Sequence, residues 1–558
     1  MSLGFGLVPT LRLPSPQRKL GSSFLAIVST FRSWVPTFAG MIVVGMITAA
    51  AQADPIIPHF VDETNASGLH SVYKGEWQYI VGGGVATFDC NGDGFPDFYI
   101  AGGENASKLY INKSKRGGAL RFAETKSGAE MDHVTGAYPL DIDGDGIMDL
   151  VVLRVGQNKI FRGLGHCQFE DATAKWNVDG GDAWGTAFSA TWEKGNHWPT
   201  LAFGTYIDSK FENEPWGHCT DNWLLRPNAA QNGFAPRIPL KPSYCALSML
   251  FTDWNRSGTP SLRVANDREY YEGGQEQLWK VNPGELPKLY TADEGWKFQR
   301  FWGMGIASAD INGSGTPAIF TTSMADQRLQ FLAGDAQHPT YKDAPFSMGT
   351  GAYRPFAGGD ERPSTGWHAQ FEDVNNDGLY DLFIAKGNVD QMPDFAQKDP
   401  SNLLLQGADG NFVEAADKSG LLNFAQARGA AVADFNLDGK MDVLIVNRHE
   451  NVKLWRNIST NLGHWLEVRL QQDGPDRDGI GAWIEVKLGD KVMRREITSG
   501  GGHVSGQNTW WHFGLGPQKQ TQVRVLWSNG NAGEWQAVKA NQFYELQSDG
   551  AAVEWTAK

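Results

Sequence analysis

Residues 86–103 read ATFDCNGDGFPDFYIAGG, in which acidic and amide side chains alternate around glycines and an apolar run follows at once. The four side chains are Asp89, Asn91, Asp93 and Asp97. Their spacing is typical of the oxygen ligands in a loop that binds a hard cation such as Ca²⁺. An EF-hand sensor would also need a Glu at the twelfth loop position, where this stretch has Ile100 inside a strand-like run. The stretch therefore predicts a structural calcium site on a β-hairpin.

The same pattern recurs along the chain. Full copies begin at Asp141, Asp373 and Asp434, and each is followed by an apolar run. Copies with fewer acids begin at Asp253 and Asp310, and a copy at residues 193–204 keeps the frame without the acids. The ninth positions of all copies are residues 97, 149, 200, 261, 318, 381 and 442. This spacing predicts a repeat architecture with a period of about fifty to sixty residues.

The repeats predict an all-β fold. Each copy has a Gly-rich or small-residue strand before the loop and apolar strands after it, about four strands in all. Seven such repeats predict a seven-bladed β-propeller over residues 54–460; the alternative, a β-solenoid, usually has shorter repeats. Residues 60–64 resemble residues 412–416 but precede the first loop, so we expect them to complete the last blade. Beyond residue 457, alternating strands predict a small β-sandwich-like domain over residues 461–548.

The repeats resemble the FG-GAP or VCBS family, whose seven-bladed propellers also form the heads of integrin α-chains. The resemblance rests on the DxDxDGxxD-type loops and covers about residues 60–457. It implies about four structural Ca²⁺ ions, held by the full loops. The implied ligands are Asp89, Asn91, Asp93, Asp97, Asp141, Asp143, Asp145, Asp149, Asp373, Asn375, Asp377, Asp381, Asp434, Asn436, Asp438 and Asp442. A turn rich in Asp and Gly without metal is the alternative, which we favour for the loops at Asp253 and Asp310.

The C-terminal part resembles the ASPIC/UnbV domain, found after FG-GAP repeats in proteins of the cartilage acidic protein-like family. The resemblance runs from about residue 462 to 547 and is carried by four short stretches. These are residues 476–482 (DRDGIGA), 500–503 (GGGH), 512–516 (HFGLG) and 525–527 (VLW). Ser528 departs from the pattern, which usually has Pro there. The resemblance implies an architecture more than a chemistry.

The first 53 residues differ from the rest of the chain. They hold Arg12, Arg18, Lys19 and Arg32 but no acidic residue, then an apolar run at 38–47 and the sequence Ala-Gln-Ala before Asp54. This pattern predicts a signal peptide over residues 1–53 and export to a secreted, periplasmic or cell-surface location. An uncleaved membrane anchor is the alternative, although the run is short for a span. We expect no stable membrane span after cleavage.

Export permits disulfides among the four cysteines. Cys219 with Cys245 is the preferred pair because both lie in one insertion-rich stretch. Cys90 lies inside the first acidic loop and could equally be a buried free thiol, so the sequence leaves the connectivity open.

The function predicted from these features is non-catalytic adhesion or ligand recognition, with an extracellular or surface glycan or protein as partner. The formal net charge of −14 makes nucleic acid an unsuitable partner. Five tryptophans, Trp184, Trp192, Trp198, Trp216 and Trp223, could stack on a ligand or pack between blades. The alternatives are a propeller-based polysaccharide lyase or hydrolase and a purely structural module. A polar site of Asp478, His503 and His512 would serve an enzyme, but such residues are more often structural.

Overall fold

The computed structural model describes residues 54–208, 217–268, 273–351, 353–390 and 392–557. The predicted signal peptide and Trp216 lie outside the described residues. Residues 52–558 belong to one compact unit.

The repeats form seven sets of four antiparallel strands, which we call units 1 to 7. The strands of the N-terminal half are β1 (Phe60–Asp62), β2 (Val85–Phe88), β3 (Asp97–Ile100), β4 (Lys108–Asn112), β5 (Phe122–Thr125), β6 (Val134–Leu140), β7 (Asp149–Arg154), β8 (Lys159–Gly163), β9 (Phe169–Asp171), β10 (Gly185–Thr191), β11 (Thr200–Thr205), β12 (Asn222–Leu225) and β13 (Ile238–Leu240). Those that complete the ring are β14 (Ala246–Thr252), β15 (Ser261–Asn266), β16 (Gln277–Lys280), β17 (Lys288–Leu289), β18 (Gly303–Ala309), β19 (Ala318–Ser323), β20 (Arg328–Leu332), β21 (Tyr341–Asp343), β22 (Gly366–Glu372), β23 (Asp381–Lys386), β24 (Asn402–Gln406), β25 (Phe412–Glu414), β26 (Gln426–Ala433), β27 (Asp442–Arg448) and β28 (Lys453–Asn457).

The units close into a ring, which confirms the predicted all-β propeller. The first strands of successive units are β2, β6, β10, β14, β18, β22 and β26. Each contacts the next, and β26 contacts β2. The predicted closure is also confirmed, because β1 pairs with β28 and places Phe60 opposite Asn457. The N-terminal strand thus supplies the fourth strand of the last blade and links the two ends of the ring.

Helices are few and short in the described residues. They are the α-helical turns Thr64–Ser67 and Ala416–Ser419 and the 3₁₀ turns Trp77–Tyr79, Ala292–Glu294 and Phe346–Met348. No helix in the described ranges has the length and apolarity needed to cross a membrane.

Two further sheets form the C-terminal domain. Its strands are β29 (His464–Gln471), β30 (Trp483–Leu488), β31 (Lys491–Glu496), β32 (Ser499–Gly500), β33 (Gly506–Asn508), β34 (Trp511–Gly516), β35 (Gln520–Leu526), β36 (Gln536–Lys539), β37 (Gln542–Gln547) and β38 (Ala552–Trp555). One sheet has the order β34-β29-β37-β38 and the other β31-β30-β35-β36. Leu466 and Phe513 of the first sheet share one core with Ile484 and Val525 of the second, so the sheets pack face to face.

The strands β32 and β33 do not belong to either sheet. They lie on a stretch of the C-terminal domain, Ser499–Asn508, that we call the channel segment because it enters the centre of the ring. Gly500 pairs with both Ser189 of β10 and Leu250 of β14, which joins units 3 and 4 into one sheet. Gly506 pairs in parallel with Ala86 of β2.

The channel segment also contacts the remaining units. Ser505 bridges to Ala137 in unit 2, and Gly502 bridges to Ile306 in unit 5. The His503 amide donates to Nδ1 of His368 in unit 6 at 3.2 Å. In unit 7, a Cβ added to Gly429 would lie 2.4 Å from the Ser505 hydroxyl. One segment thus enters the channel, turns at residues 501–504 and contacts the first strand of every unit, so that it fills the channel.

Glycines on the first strands make room for this segment. A Cβ at Gly84 would stand 1.7 Å from the Val504 carbonyl oxygen, and one at Gly136 would stand 2.1 Å from it. Backbone atoms of the channel segment occupy the space that a side chain would need. The small-residue strands that precede the acidic loops are therefore explained by this close approach.

Both disulfides join residues of the propeller. Cys219–Cys245 is present as predicted. Cys90 is bonded to Cys167 of unit 2, so the alternative of a free thiol is wrong. This bond ties the first acidic loop to the neighbouring unit.

We expect Gly84→Ala to lower the free energy of unfolding by about 1–3 kcal/mol or more, because overpacking a filled interior usually costs this much. Urea unfolding followed by fluorescence measures it. Gly351→Ala is the control, because the nearest atom to its added Cβ is 3.7 Å away. Equal unfolding midpoints for the two variants would contradict a filled channel.

Candidate functional site

The first Asp of each full loop closes its own turn. The amide of the sixth residue donates to it in all four loops: Gly94 to Asp89 at 2.7 Å, Gly146 to Asp141 at 2.9 Å, Gly378 to Asp373 at 2.7 Å and Gly439 to Asp434 at 2.6 Å. The glycine at this position has positive φ, for example 87° at Gly94. This conformation explains why Gly is required there.

The ninth Asp has a role that the sequence did not indicate. In loop 1, Asp97 Oδ2 accepts from the Cys90 amide at 3.0 Å and Oδ1 accepts from the Asn112 amide on β4 at 2.7 Å. Asp149, Asp381 and Asp442 repeat both contacts in their own units. The ninth Asp thus joins each loop to the third strand of its blade, besides facing the other acids.

The loop carboxylates are buried, which disfavours their charged forms. Burial raises the pKa of Asp97 to about 8 and the pKa of Asp141 to about 7, and neighbouring loop acids add to both shifts. Burial also raises the pKa of Asp149, Asp373, Asp381, Asp434 and Asp442 well above the ordinary value. A bound cation would stabilise these carboxylates in the ionised form.

The donor atoms fit a hard cation. In loop 2, oxygens of Asp141, Asp143 and Asp149 lie within 4.8 Å of one another. Asp143 Oδ1 is buried and has no hydrogen-bond partner among the described residues, although Oδ2 accepts from Arg162 Nε at 2.7 Å. In loop 7, Asn436 Oδ1 is likewise buried without a partner. The predicted ligands of loops 1, 6 and 7 occupy the equivalent positions, and they offer carboxylate and amide oxygens of the kind that Ca²⁺ prefers.

The acid-poor loops are held by other contacts. In unit 5, Arg494 of the C-terminal domain donates to Asp310 at 3.2 Å. In unit 4, the Asp253 amide donates to Glu496 of the same domain at 2.6 Å. In unit 3, Arg226 donates to Glu193 at 2.6 Å. Side chains of the C-terminal domain thus contact the first residue of the loops in units 4 and 5.

Asp478, His503 and His512 have separate partners. Asp478 accepts from Asn508 at 3.1 Å, and His512 lies between Glu467 and Asn376. The His503 ring lies 4.9 Å from the Trp367 ring in the channel. The three residues therefore do not share a hydrogen bond or ring contact with one another among the described contacts.

A pocket of about 140 Å³ lies at the end of the channel opposite the acidic loops, and we call it the channel-mouth pocket. It lies at that end because its lining residues Met304 and Trp367 occupy the starts of β18 and β22, whereas the acidic loops follow the ends of the first strands. Its apolar wall also includes Met324, Met392 and Phe395. Trp302, Met392 and Phe395 are half-buried, so a ligand can reach them.

A polar group lies on one wall of this pocket. The Tyr206 hydroxyl donates to Asp267 at 2.5 Å and accepts from Arg268 Nε at 3.2 Å. Burial and the Asp267 charge raise the pKa of Tyr206 far above its ordinary value, which keeps the phenol protonated. The pocket therefore combines aromatic surface with the carboxyl group of Asp267, the guanidinium of Arg268 and the hydroxyl of Tyr206, which hydrogen bonds hold in place. This combination is typical of ligand sites. Sequence reasoning missed this pocket because its residues come from several units.

The channel segment supports the floor of the pocket. The His503 ring at its tip packs on Trp367, and the Arg428 guanidinium lies 4.2 Å from the Trp367 ring. The Trp367 indole nitrogen donates to the Gly387 carbonyl at 2.7 Å. This aromatic ring is therefore held in one orientation.

A larger cavity of about 410 Å³ lies on the other face, between loops 1 and 2 and the C-terminal domain. Its walls include Asp89 and Asp141 of those loops and Arg469, Arg477 and Asp478 of the C-terminal domain. This cavity is part of the acidic-loop region.

Most of the five tryptophans considered for stacking are packed inside the protein. Trp184 contacts Trp77 and Tyr206, Trp198 contacts Trp176, and Trp223 stacks on Phe203. These three are buried, whereas Trp192 is half-buried. Blade packing therefore accounts for Trp184, Trp198 and Trp223.

Two family models match the chain. The FG-GAP-like repeat matches residues 89–152 and 373–445, and the ASPIC and UnbV model matches residues 472–553. The chain is an FG-GAP repeat protein with a C-terminal UnbV domain. The FG-GAP matches span the four full loops, and the UnbV match contains the channel segment. The part of the UnbV domain that enters the ring thus lies inside the family's own boundaries.

The solved structures that match the chain are distant from it in sequence, and the three described next have TM-scores below 0.5. BBS1N, in a complex with ARL6DN soaked with lead, is 11% identical with a TM-score of 0.43 and covers 74% of this chain and 100% of its own. An Agrocybe aegerita protein described as recognising non-reducing terminal N-acetylglucosamine is 13% identical with a TM-score of 0.37, over 71% of this chain and 96% of its own. The extracellular domain of BT4673 from B. thetaiotaomicron is 8% identical with a TM-score of 0.37, over 88% and 60%. No curated protein matches the chain.

We expect calcium removal to lower the melting temperature of this FG-GAP repeat protein. A ligand at a hundred times its Kd stabilises the folded state by about 2.7 kcal/mol per site, and removing the ligand lowers the free energy of unfolding by the same amount. Scanning calorimetry in excess EDTA and in calcium measures the difference, with EDTA plus excess calcium as the control. An unchanged melting temperature in EDTA would contradict the metal assignment.

In calcium-free buffer we expect the free energy of unfolding to fall as pH rises from about 5 to 8. The folded state holds protons on Asp97 and Asp141 with pKa values of about 8 and 7, whereas an unfolded Asp releases its proton near pH 4. Protons bound only in the folded state make stability decrease with rising pH. Urea unfolding midpoints measured in EDTA across this pH range test whether stability falls as pH rises, and saturating calcium should remove the decrease in stability. A midpoint in EDTA that rises with pH would contradict the expectation.

Proposed function

We propose that this protein is an exported, calcium-binding propeller that recognises a glycan or a protein through the channel-mouth pocket, without catalysing a reaction. The observation that carries the proposal is the composition of that pocket. Half-buried Trp302 and Phe395 stand beside the Tyr206–Asp267–Arg268 group. Aromatic faces stack on sugar rings or apolar side chains, and the polar group can orient them by hydrogen bonds.

The size of the pocket limits what it can hold. At about 140 Å³ it lies below the roughly 300–1,000 Å³ of sites that enclose a whole small ligand. It suits one terminal residue of a larger ligand, such as the end sugar of a glycan or one side chain of a protein, with the rest outside the mouth.

A non-catalytic role is supported by the protonation of the polar group. A tyrosine that removes a proton from a substrate needs a pKa lowered toward the working pH. The pKa of Tyr206 is raised instead, first by burial and then by the Asp267 charge. The group therefore favours hydrogen bonding to a ligand over general-base catalysis.

Export and calcium binding are supported by separate observations. All four cysteines are paired, as suits an oxidising compartment, and the sequence predicts a signal peptide. The four acidic loops bring buried carboxylates together with unpartnered oxygens in loops 2 and 7. Calcium in this proposal has a structural role, because the loops lie at the opposite end of the channel from the pocket.

We expect Trp302→Ala to abolish or weaken ligand binding by tenfold or more, since stacking on one aromatic side chain contributes about 0.5–1.5 kcal/mol beyond its buried area. A glycan array and a cell-surface protein screen first identify the ligand, and titration calorimetry then compares the variant with the parent protein. Trp192→Ala is the matched control, because Trp192 is also half-buried but lies outside the pocket.

Turnover assays on polysaccharides run in parallel. Product formation by the parent protein would contradict the non-catalytic assignment. Equal loss of binding in both tryptophan variants, or unchanged binding in Trp302→Ala, would place the ligand elsewhere.

A further inference from the structure

Glu467 is a fully buried carboxylate that the fold alone does not explain. It lies on β29 of the C-terminal domain, and its side chain is 1% exposed. Its Oε1 lies 3.1 Å from His512 Nδ1, whereas Oε2 has no hydrogen-bond partner in the described part of the chain. An ionised oxygen buried in this way is costly unless another charge compensates it.

This carboxylate faces loop 7 of the propeller. Glu467 Oε1 contacts His512, His512 contacts Asn376, and Asn376 donates to the Gly439 carbonyl of loop 7 at 3.0 Å. The charges of Glu467 and Asp438 add to the effect of burial in raising the pKa of Asp434. Ionised carboxylates buried near one another repel unless a proton or a cation lies between them.

The strand that carries Glu467 is pressed against the loop. A Cβ added to Gly439 of loop 7 would lie 1.9 Å from the indole of Trp465. Trp465 and Glu467 are two positions apart on β29, so their side chains point to the same side of the strand. The orientation of β29 therefore directs Glu467 toward the loop.

Loop 7 has an unpartnered oxygen of its own. Asn436 is 0% exposed, and its amide nitrogen donates to the Gly118 carbonyl at 2.7 Å. That contact fixes the orientation of the amide and leaves Oδ1 without a partner. Two buried, unpartnered oxygens from two domains thus belong to side chains of one acidic cluster.

We propose that Glu467 is a ligand of the cation in loop 7, so that this metal site is built by the propeller and the C-terminal domain together. The other ligands are Asp434, Asn436, Asp438 and Asp442. Ca²⁺ takes six to eight oxygens, and an additional carboxylate raises the affinity of a site. The inference rests on the proposed calcium binding.

His512 is a positioning residue in this arrangement. Its Nδ1 contacts Glu467 Oε1, and its Nε2 lies 2.8 Å from Asn376 Oδ1 in loop 6. Holding Oε1 in this way leaves Oε2 directed at the loop, as outer contacts do for ligands in other metal sites. Calcium in loop 7 would consequently fasten the domain that fills the channel.

The test is calcium titration calorimetry on the full protein, comparing the parent with Glu467→Gln. We expect the variant to lose or weaken one site by tenfold or more and to keep the others unchanged. Glu554→Gln is the matched control, because Glu554 lies in the same sheet but is exposed. Equal titrations of parent and Glu467→Gln would overturn this inference alone, whereas a parent protein that binds no calcium would overturn the calcium proposal as well.

Melting temperatures separate a ligand from a residue with only a packing role. In EDTA, Glu467→Gln should melt at or above the parent, because the substitution replaces a buried ionisable carboxyl group with a neutral amide that can still hydrogen-bond to His512 Nδ1. When calcium is added, the melting temperature of the variant should rise less than that of the parent. A variant that melts lower than the parent by the same amount in EDTA and in calcium would overturn the ligand role.

Discussion

The packing of the channel segment against the first strands is the contact on which the rest of the molecule depends. A propeller of this size leaves an axial space that must be filled by water, by a ligand or by protein. Here the backbone of Ser499–Asn508 fills it. Because this backbone lies so close to the first strands, glycine is required at the points of contact, as at Gly84 and Gly136. Backbone groups of the segment in return form hydrogen bonds with the ring, for example the Gly502 amide, which donates to the Ile306 carbonyl at 2.7 Å.

This contact makes the two domains one cooperative structure. A segment that contacts every unit cannot leave the channel without exposing each first strand, so the ring and the C-terminal domain stabilise one another. The buried ion pair between Arg495 of β31 and Glu372 of β22, at 2.7 Å, adds a charged contact beside the channel. Removing either partner would leave a buried charge without compensation.

The C-terminal domain also explains the uneven distribution of acids around the ring. It covers the face that carries the acidic loops, and in units 4 and 5 it supplies Glu496 and Arg494 to the loops that lack a full acidic set. In unit 7 it presents a carboxylate to a loop that keeps its full set. The face with the channel mouth is the opposite one, where the pocket combines aromatic and polar groups.

Much of the fold followed from the sequence because its cause is local. An Asp at the first loop position and a Gly at the sixth specify one tight turn by hydrogen bonding and by φ, so each full loop marks one hairpin wherever it occurs. Counting those hairpins predicted the propeller, and the strand at residues 60–64 predicted its closure. The residues of the four loops were recognised for the same reason.

The tertiary structure decided everything that joins distant parts of the chain. The partner of Cys90, the insertion of Ser499–Asn508 into the ring and the approach of Glu467 to loop 7 each link segments far apart in sequence, and no local preference encodes them. The channel-mouth pocket is of the same kind, because Tyr206, Trp302 and Phe395 come from different units and meet only when the ring closes. The sequence by itself determined the hairpins and their repetition, since short-range hydrogen bonds and backbone angles fix them. Only the closed ring decided what its channel and its two faces hold, because long-range packing sets those contacts.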